Sequence, residues 1–250
     1  MSSNIHLYTT QTPNGIKVSI TLEELGLKYE HTKIDISKNT QKEPWFLEIN
    51  PNGRIPAVTD TFTDGKPIRL FESGSIMQYL VDRYDTEYKI SYPKGTREYI
   101  EMTNWLFFQN ASQGPMQGQA NHFFRYAPEK IEYGINRYQN ETRRLYGVLD
   151  KHLSDTGSKF LVGDKLTIAD IAHWGWISAG PWAGIDTSEF PTLEAWEKRV
   201  YEREAVQKGA DVPEKYKLKE LLNDPAAVEK KANAARDWIQ ASMKAEAERK

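Results

Sequence analysis

Apolar and polar positions change rhythm twice along this chain. Residues 5–10, Ile-His-Leu-Tyr-Thr-Thr, are β-branched and aromatic and stop at Gln-Thr-Pro-Asn-Gly, which predicts a strand and a tight turn. From Ile16 the apolar residues Val18, Ile20, Leu22, Leu25 and Leu27 follow, with Glu23 and Glu24 outside and Gly26 as a stop, predicting a helix of about three turns. Residues 29–36 read as a second strand, and the βαβ spacing predicts a parallel pair. After a polar loop holding Gln41 and Pro44, a turn at 50–53 feeds a third strand through Val58. A fourth, 68–71, returns across Asp64-Gly65. Ser73 and Gly74 open another helix, carried by Ile76, Met77, Tyr79, Leu80 and Tyr84.

The order β-α-β-loop-β-β-α within residues 1–86 is that of a thioredoxin-like domain. A polar, turn-rich linker then leads to a different pattern. Long helical periodicities over 98–113, 128–154, 167–178 and 191–204, with no convincing strand among them, predict an all-helical domain over 97–211. Thr167-Ile168-Ala169-Asp170 is a capping box, with Leu166 and Ile171 placed as a hydrophobic staple. Residues 212–250 are rich in Lys, Glu and Ala. Their apolar Leu218, Leu221, Leu222, Val228, Trp238, Ile239 and Met243 predict an amphipathic extension packed on the body and fraying near Lys250. The fold class expected is thus α/β plus all-α.

Composition narrows the chemistry. With 33 basic and 35 acidic residues the net charge is −2, which gives no global pull toward nucleic acid or anionic membranes. No apolar run is long enough to span a bilayer, and the first residues carry no leader pattern, so a cytoplasmic location is expected. The five His are scattered without ligand spacing, and no metal site is expected. The chain has no Cys, which excludes any mechanism needing a protein thiol.

Three segments carry candidate chemistry. Thr12-Pro13-Asn14-Gly15 lies where a strand ends and a helix begins, a position that favours an anion; Asn14 can donate its amide and Thr12 its hydroxyl, or the two can merely cap the helix and make the turn. In Arg54-Ile55-Pro56-Ala57, a proline opening a strand can be a plain trans edge proline. If cis, it exposes the backbone of Ile55 to an extended, peptide-like ligand. In Glu72-Ser73, the serine can cap a helix or hold a carboxylate, and the glutamate can accept from an ammonium. Together the last two suit an amino-acid headgroup.

The order of these segments on a thioredoxin-like pattern followed by helices resembles the cytosolic glutathione transferase family. The resemblance is strongest to the class comprising the fungal nitrogen-regulation (prion) protein and its bacterial nu-class relatives. It rests on Thr-Pro-Asn-Gly at 12–15, Asn-Pro-Asn-Gly-Arg-Ile-Pro-Ala at 50–57, Phe-Glu-Ser-Gly at 71–74, Trp-Leu-Phe-Phe-Gln at 105–109, Pro-Met-Gln-Gly-Gln-Ala at 115–120 and Val-Gly-Asp-Lys-Leu-Thr-Ile-Ala-Asp at 162–170. It spans about residues 5–205, leaving the extension outside.

The resemblance implies a glutathione transferase fold with glutathione as co-substrate and a homodimer. It places Glu72 and Ser73 on the γ-glutamyl ammonium and carboxylate, Ile55 before a cis Pro56 on the cysteinyl unit, and Thr12 and Asn14 beside the sulfur as catalytic residues. Gln41, Arg54 and Arg137 match positions near the glycine carboxylate. Asn14 is no base near neutral pH, so it would act by stabilising the thiolate. Tyr8, near the site of the catalytic tyrosine of other classes, is off that spacing and reads as a strand tyrosine. The substrates implied are disulfides first, peroxides second and electrophiles for conjugation third, with a non-catalytic glutathione-binding regulator or interaction module as the alternative. The acceptor pocket is expected between the domains, near the helix through Trp105, Phe107 and Phe108 and the segment 113–124.

Overall fold

The computed structural model describes residues 4–247, with the side chains of 245 and 246 left aside; the fraying expected at Lys250 lies outside the described residues. The chain opens with strand β1 (Ile5–Thr9), helix α1 (Gly15–Glu24), strand β2 (Tyr29–Lys33) and a short helix α2 (Pro44–Ile49). Strands β3 (Ala57–Thr61) and β4 (Pro67–Phe71) and helix α3 (Ser73–Tyr84) complete this region. The sheet order is β2-β1-β3-β4; the parallel β1–β2 pair and the antiparallel β3–β4 hairpin are those the sequence pattern predicts, and β1 and β3 pair antiparallel between them. Helix α2 stands where a loop was expected. Pro44 supplies a first-turn residue that needs no N–H partner, and buried Phe46 anchors the turn.

Helix α1 explains its own unusual sequence rhythm. Its apolar residues at 16, 18, 20 and 22 are spaced by two, yet the segment is helical because it is buried from both sides. Val18 and Leu22 join Ile5, Leu7, Val58, Ile76 and Leu80 beneath the sheet, whereas Ile16 and Ile20 join the core of the helical region. Two glycines permit this sandwich. A Cβ at Gly15 would lie 2.1 Å from the Thr10 carbonyl oxygen, and one at Gly209 would lie 2.4 Å from Ile20 Cα.

The helical region runs α4 (Arg97–Phe108), α5 (Gly114–Asn121), α6 (Glu132–Thr156), α7 (Ile168–Ser178), α8 (Pro191–Tyr201) and α9 (Glu204–Ala210). The helix expected over 98–113 is regular only as far as Phe108: π turns at Gln109–Gln113 and His122–Tyr126 bracket α5, and such turns are frequent at functional sites. The capping box at α7 forms as expected. Thr167 Oγ1 accepts from the Ala169 N–H and Asp170 Oδ2 accepts from the Thr167 N–H at 2.9 Å, with Leu166 and Ile171 both buried in the helical core. The extension forms α10 (Leu218–Leu222) and α11 (Pro225–Ala247), and α11 packs Val228 and Ala232 against Trp182. Among the described residues no helix is long and apolar enough to cross a membrane.

Candidate functional site

A cleft of about 850 Å³ lies between the sheet-bearing region and the helices, within the range of small-molecule sites. Its lining includes Thr12, Asn14, Gln41, Arg54, Ile55, Glu72 and Ser73, so seven of the nine residues singled out by sequence meet in one place. Pro56 is buried immediately behind Ile55, and the Ile55–Pro56 peptide bond is cis. Arg137 is the exception. It sits on the exposed face of α6, with its guanidinium over the ring of Tyr138 at 5.9 Å, because the buried face of that helix runs through Gly134, Thr142, Leu145 and Tyr146. Within this chain, helical register keeps it out of the cleft.

At the entrance to α1, the capping work falls to Thr12 and not to Asn14. Thr12 Oγ1 accepts from the Gly15 N–H at 3.0 Å, whereas Asn14 makes no cap bond with its side chain. Instead Asn14 Oδ1 accepts from the indole N–H of Trp176 at 3.0 Å. An indole nitrogen can only donate, so this contact fixes which end of the amide is oxygen. The amide left over is Nδ2, a donor with no described protein acceptor. Trp176 is itself held: its carbonyl accepts from Gln117 Nε2 at 2.7 Å and from the Tyr146 hydroxyl at 3.0 Å.

Opposite Asn14, Ser73 is buried at the first turn of α3, and Glu72 precedes it with φ of 66°, a left-handed conformation that a glutamate seldom adopts. Glu72 is exposed and accepts from Asn52 Nδ2 at 3.3 Å. Gln41 is buried with Oε1 unpaired and with Nε2 reaching the Ile36 carbonyl and Asn39 Oδ1 only at 3.5 Å, so its hydrogen-bonding capacity is barely used. The cleft thus combines spare donors and acceptors with a helix start, the requirements of a zwitterionic peptide.

Two features escaped sequence reasoning. Lys17 is buried beside Ser73 in the lining of the cleft; a charged residue inside the apolar run from Ile16 to Leu22 was the available signal. Trp176 lies in a helix buried all round, where periodicity cannot single out one side chain. Helix α11 closes one edge of the cleft, where Trp238 Nε1 and Ser242 Oγ both donate to Asn39 Oδ1 at 3.3 and 3.1 Å. The aromatics of α4 do not line the cleft, and Trp105 and Phe108 pack against the helical core. Trp105 packs edge-on against Phe108 and tilted against His152, and Phe107 is exposed; Gly114, Pro115, Gly118 and His122 take that wall. Tyr8 stacks with His6 and packs beside Phe46, outside the lining, as a strand tyrosine.

Residues 3–82 match the glutathione S-transferase N-terminal domain and residues 105–204 the glutathione S-transferase C-terminal domain. The chain is 43% identical over 203 residues to the disulfide-bond oxidoreductase YfcG of Escherichia coli (strain K12), covering 80% of this chain and 92% of that protein. A glutathione transferase homolog from Lodderomyces elongisporus, solved with two glutathione molecules per subunit, is 50% identical with a TM-score of 0.80, covering 84% of this chain and 99% of that one. The glutathione transferase URE2P6 from Phanerochaete chrysosporium, solved with oxidized glutathione, is 43% identical with a TM-score of 0.77, covering 83% and 94%.

Proposed function

Because the chain belongs to the glutathione S-transferase family, we propose that it activates glutathione in the interdomain cleft for the reduction of disulfides. In this reading Glu72 and Ser73 hold the γ-glutamyl headgroup, the Ile55 backbone before Pro56 pairs with the cysteinyl unit, and Gln41 and Arg54 meet the glycine carboxylate. The sulfur faces Thr12 and Asn14. The observation that carries it is the Trp176 contact, which consumes the oxygen of Asn14 and leaves an amide donor for a thiolate.

The energetics suffice without a tyrosine or a base. A thiol of pKa ~8.5 is only about 5–10% ionised near neutral pH, and lowering it by ~2 units, about 2.7 kcal/mol, makes most of it nucleophilic. A charge-assisted hydrogen bond contributes roughly 1.5–3 kcal/mol and a helix start ~0.5–1. The glutathione thiolate attacks one sulfur of the disulfide, forming a mixed disulfide and expelling a thiolate. A second glutathione thiolate attacks the mixed disulfide, giving oxidized glutathione and a second thiolate, and both leaving thiolates take protons from water. No protein thiol takes part, in keeping with a chain that has none. The two glutathione molecules per subunit in one relative and the oxidized glutathione in another support this stoichiometry. Peroxides rank second as acceptors and carbon electrophiles third.

Glutathione-dependent reduction of hydroxyethyl disulfide, measured for the native protein and Asn14→Ala alongside glutathione affinity, tests the assignment. The expected result is a fall in kcat/KM of about 10-fold or more with affinity nearly unchanged. An unchanged rate would remove Asn14 from the mechanism. Glutathione binding without turnover of any acceptor class would make the chain a glutathione-binding regulator.

A further inference from the structure

Lys17 follows Asn14 by three residues on α1 and is 1% exposed. Its Nζ donates to Ser73 Oγ at 3.3 Å and to Gln109 Oε1 at 2.5 Å, both neutral acceptors. Among the described residues no carboxylate is in ion-pair contact with it. A buried ammonium with only neutral partners retains most of its desolvation cost. Accordingly, burial lowers Lys17 from its usual value to about 7, with the charge of Glu72 pulling the other way.

The groups facing this ammonium come from every element around it. Glu72 and Ser73 stand at the start of α3, Gln109 lies in the π turn after α4, and His173 comes from α7. His173 is fully buried between Gln113 and the Trp105 carbonyl, and burial drives it down to about 3, so it is neutral and adds no charge at physiological pH. The exposed Glu72 is the partner assigned to the ligand ammonium. What the arrangement lacks is an anion in the cleft, whose lining includes Lys17, Ser73 and Gln109.

We propose that Lys17 is a positioning residue whose ammonium, acting through Ser73, completes the binding of the γ-glutamyl α-carboxylate, so that glutathione binding draws a proton from water onto Lys17 Nζ. This rests on the glutathione reading. The carboxylate accepts from the Ser73 hydroxyl, the hydroxyl oxygen accepts from Lys17, and the ligand charge offsets the desolvation of the ammonium. Lys17 thereby favours ligands that carry a free α-carboxylate at that end over peptides that lack one.

Proton uptake is read directly by titration calorimetry in two buffers of different ionisation enthalpy. The ligands are S-methylglutathione, whose blocked thiol cannot titrate, and its analogue in which 4-aminobutanoyl replaces γ-glutamyl and so lacks the α-carboxylate. At pH 7.5 the native protein is expected to take up more than about half a proton with S-methylglutathione and almost none with the analogue. Lys17→Met is expected to abolish the uptake and to weaken S-methylglutathione about 10-fold or more, while weakening the analogue less than about threefold. Equal uptake with both ligands, or an equal penalty on both, overturns the inference. The native-protein comparison decides the matter even where Lys17→Met does not fold. Binding of S-methylglutathione without uptake overturns the inference alone, whereas absence of binding overturns the glutathione reading and the inference with it.

Discussion

Among the described residues Asp170 and Lys17 are the two charged ones that the fold buries most completely, at 0% and 1% exposure, and they are served very differently. Asp170, in the helical region, accepts from the Leu161 N–H, the Thr167 N–H and hydroxyl, and the indole of Trp196, all at 2.8–3.0 Å. Burial still pushes its carboxyl above the usual range against those four donors, yet every lone-pair direction is occupied. Lys17, at the cleft, has two neutral acceptors and no counter-ion among the described residues. A buried charge that the protein satisfies by itself belongs to folding. One that the protein leaves short points to what the protein binds.

The largest expected effect lies on the folding side. Asp170→Ala removes a helix cap and strands the Leu161 and Trp196 donors in the core, and together these losses exceed about 3 kcal/mol of stability in urea unfolding. Turnover per folded molecule should be unchanged. A stability loss below about 1 kcal/mol would mean that Asp170 is no better integrated than Lys17, and the contrast would fail.

The next effect is a pH dependence with a definite sign. Unfolded Lys17 holds its proton to about 10.5, whereas the folded protein releases it near 7, so between these values the unfolded state binds more protons and native stability rises with pH. Lys17→Met lacks this contribution. Its stability relative to the native protein is therefore expected to be more favourable at pH 6 than at pH 9, by about 2–3 kcal/mol, as read by urea unfolding at both pH values. A pH-independent difference would show that Lys17 keeps its charge throughout and that the fold, not a ligand, satisfies it.

The sequence already disclosed the folding half of this contrast. The capping box is a local pattern of four residues, and the parallel first pair and the antiparallel hairpin follow from element spacing and turn chemistry. The seven residues that line the cleft were also singled out there, from a strand end, the turn before a strand and a helix start, with Gln41 marked by the family resemblance. Lys17 and Trp176 were not, because their importance comes from what faces them across the domain boundary, Gln109 and Asn14, 92 and 162 residues away in the chain. Arg137 lies outside the cleft of its own chain, on the exposed face of α6. Helix α11 read correctly as an amphipathic extension, while its grip on Asn39 depends on a left-handed turn that no periodicity reveals.

The smallest effect gives the sharpest separation, because both regions use the same device. Trp196 donates its indole N–H to Asp170 and Trp176 donates its own to Asn14, each at 3.0 Å. Replacing either by Phe removes one donor and little volume. In Trp196→Phe the acceptor is a buried carboxylate that keeps three other donors, so stability should fall by about 1–2 kcal/mol with turnover per folded molecule intact. In Trp176→Phe the acceptor is an amide oxygen at the edge of the cleft. Little stability is at stake there, but Asn14 becomes free to rotate and present oxygen instead of nitrogen to a thiolate. A fall in kcat/KM of roughly threefold to 10-fold with glutathione affinity preserved is expected, smaller than for Asn14→Ala because the correct rotamer remains accessible. Stability and steady-state kinetics on the two variants decide the outcome. If both lose only stability, the indole at Asn14 is a packing contact like its counterpart, and the amide orientation has no bearing on the sulfur.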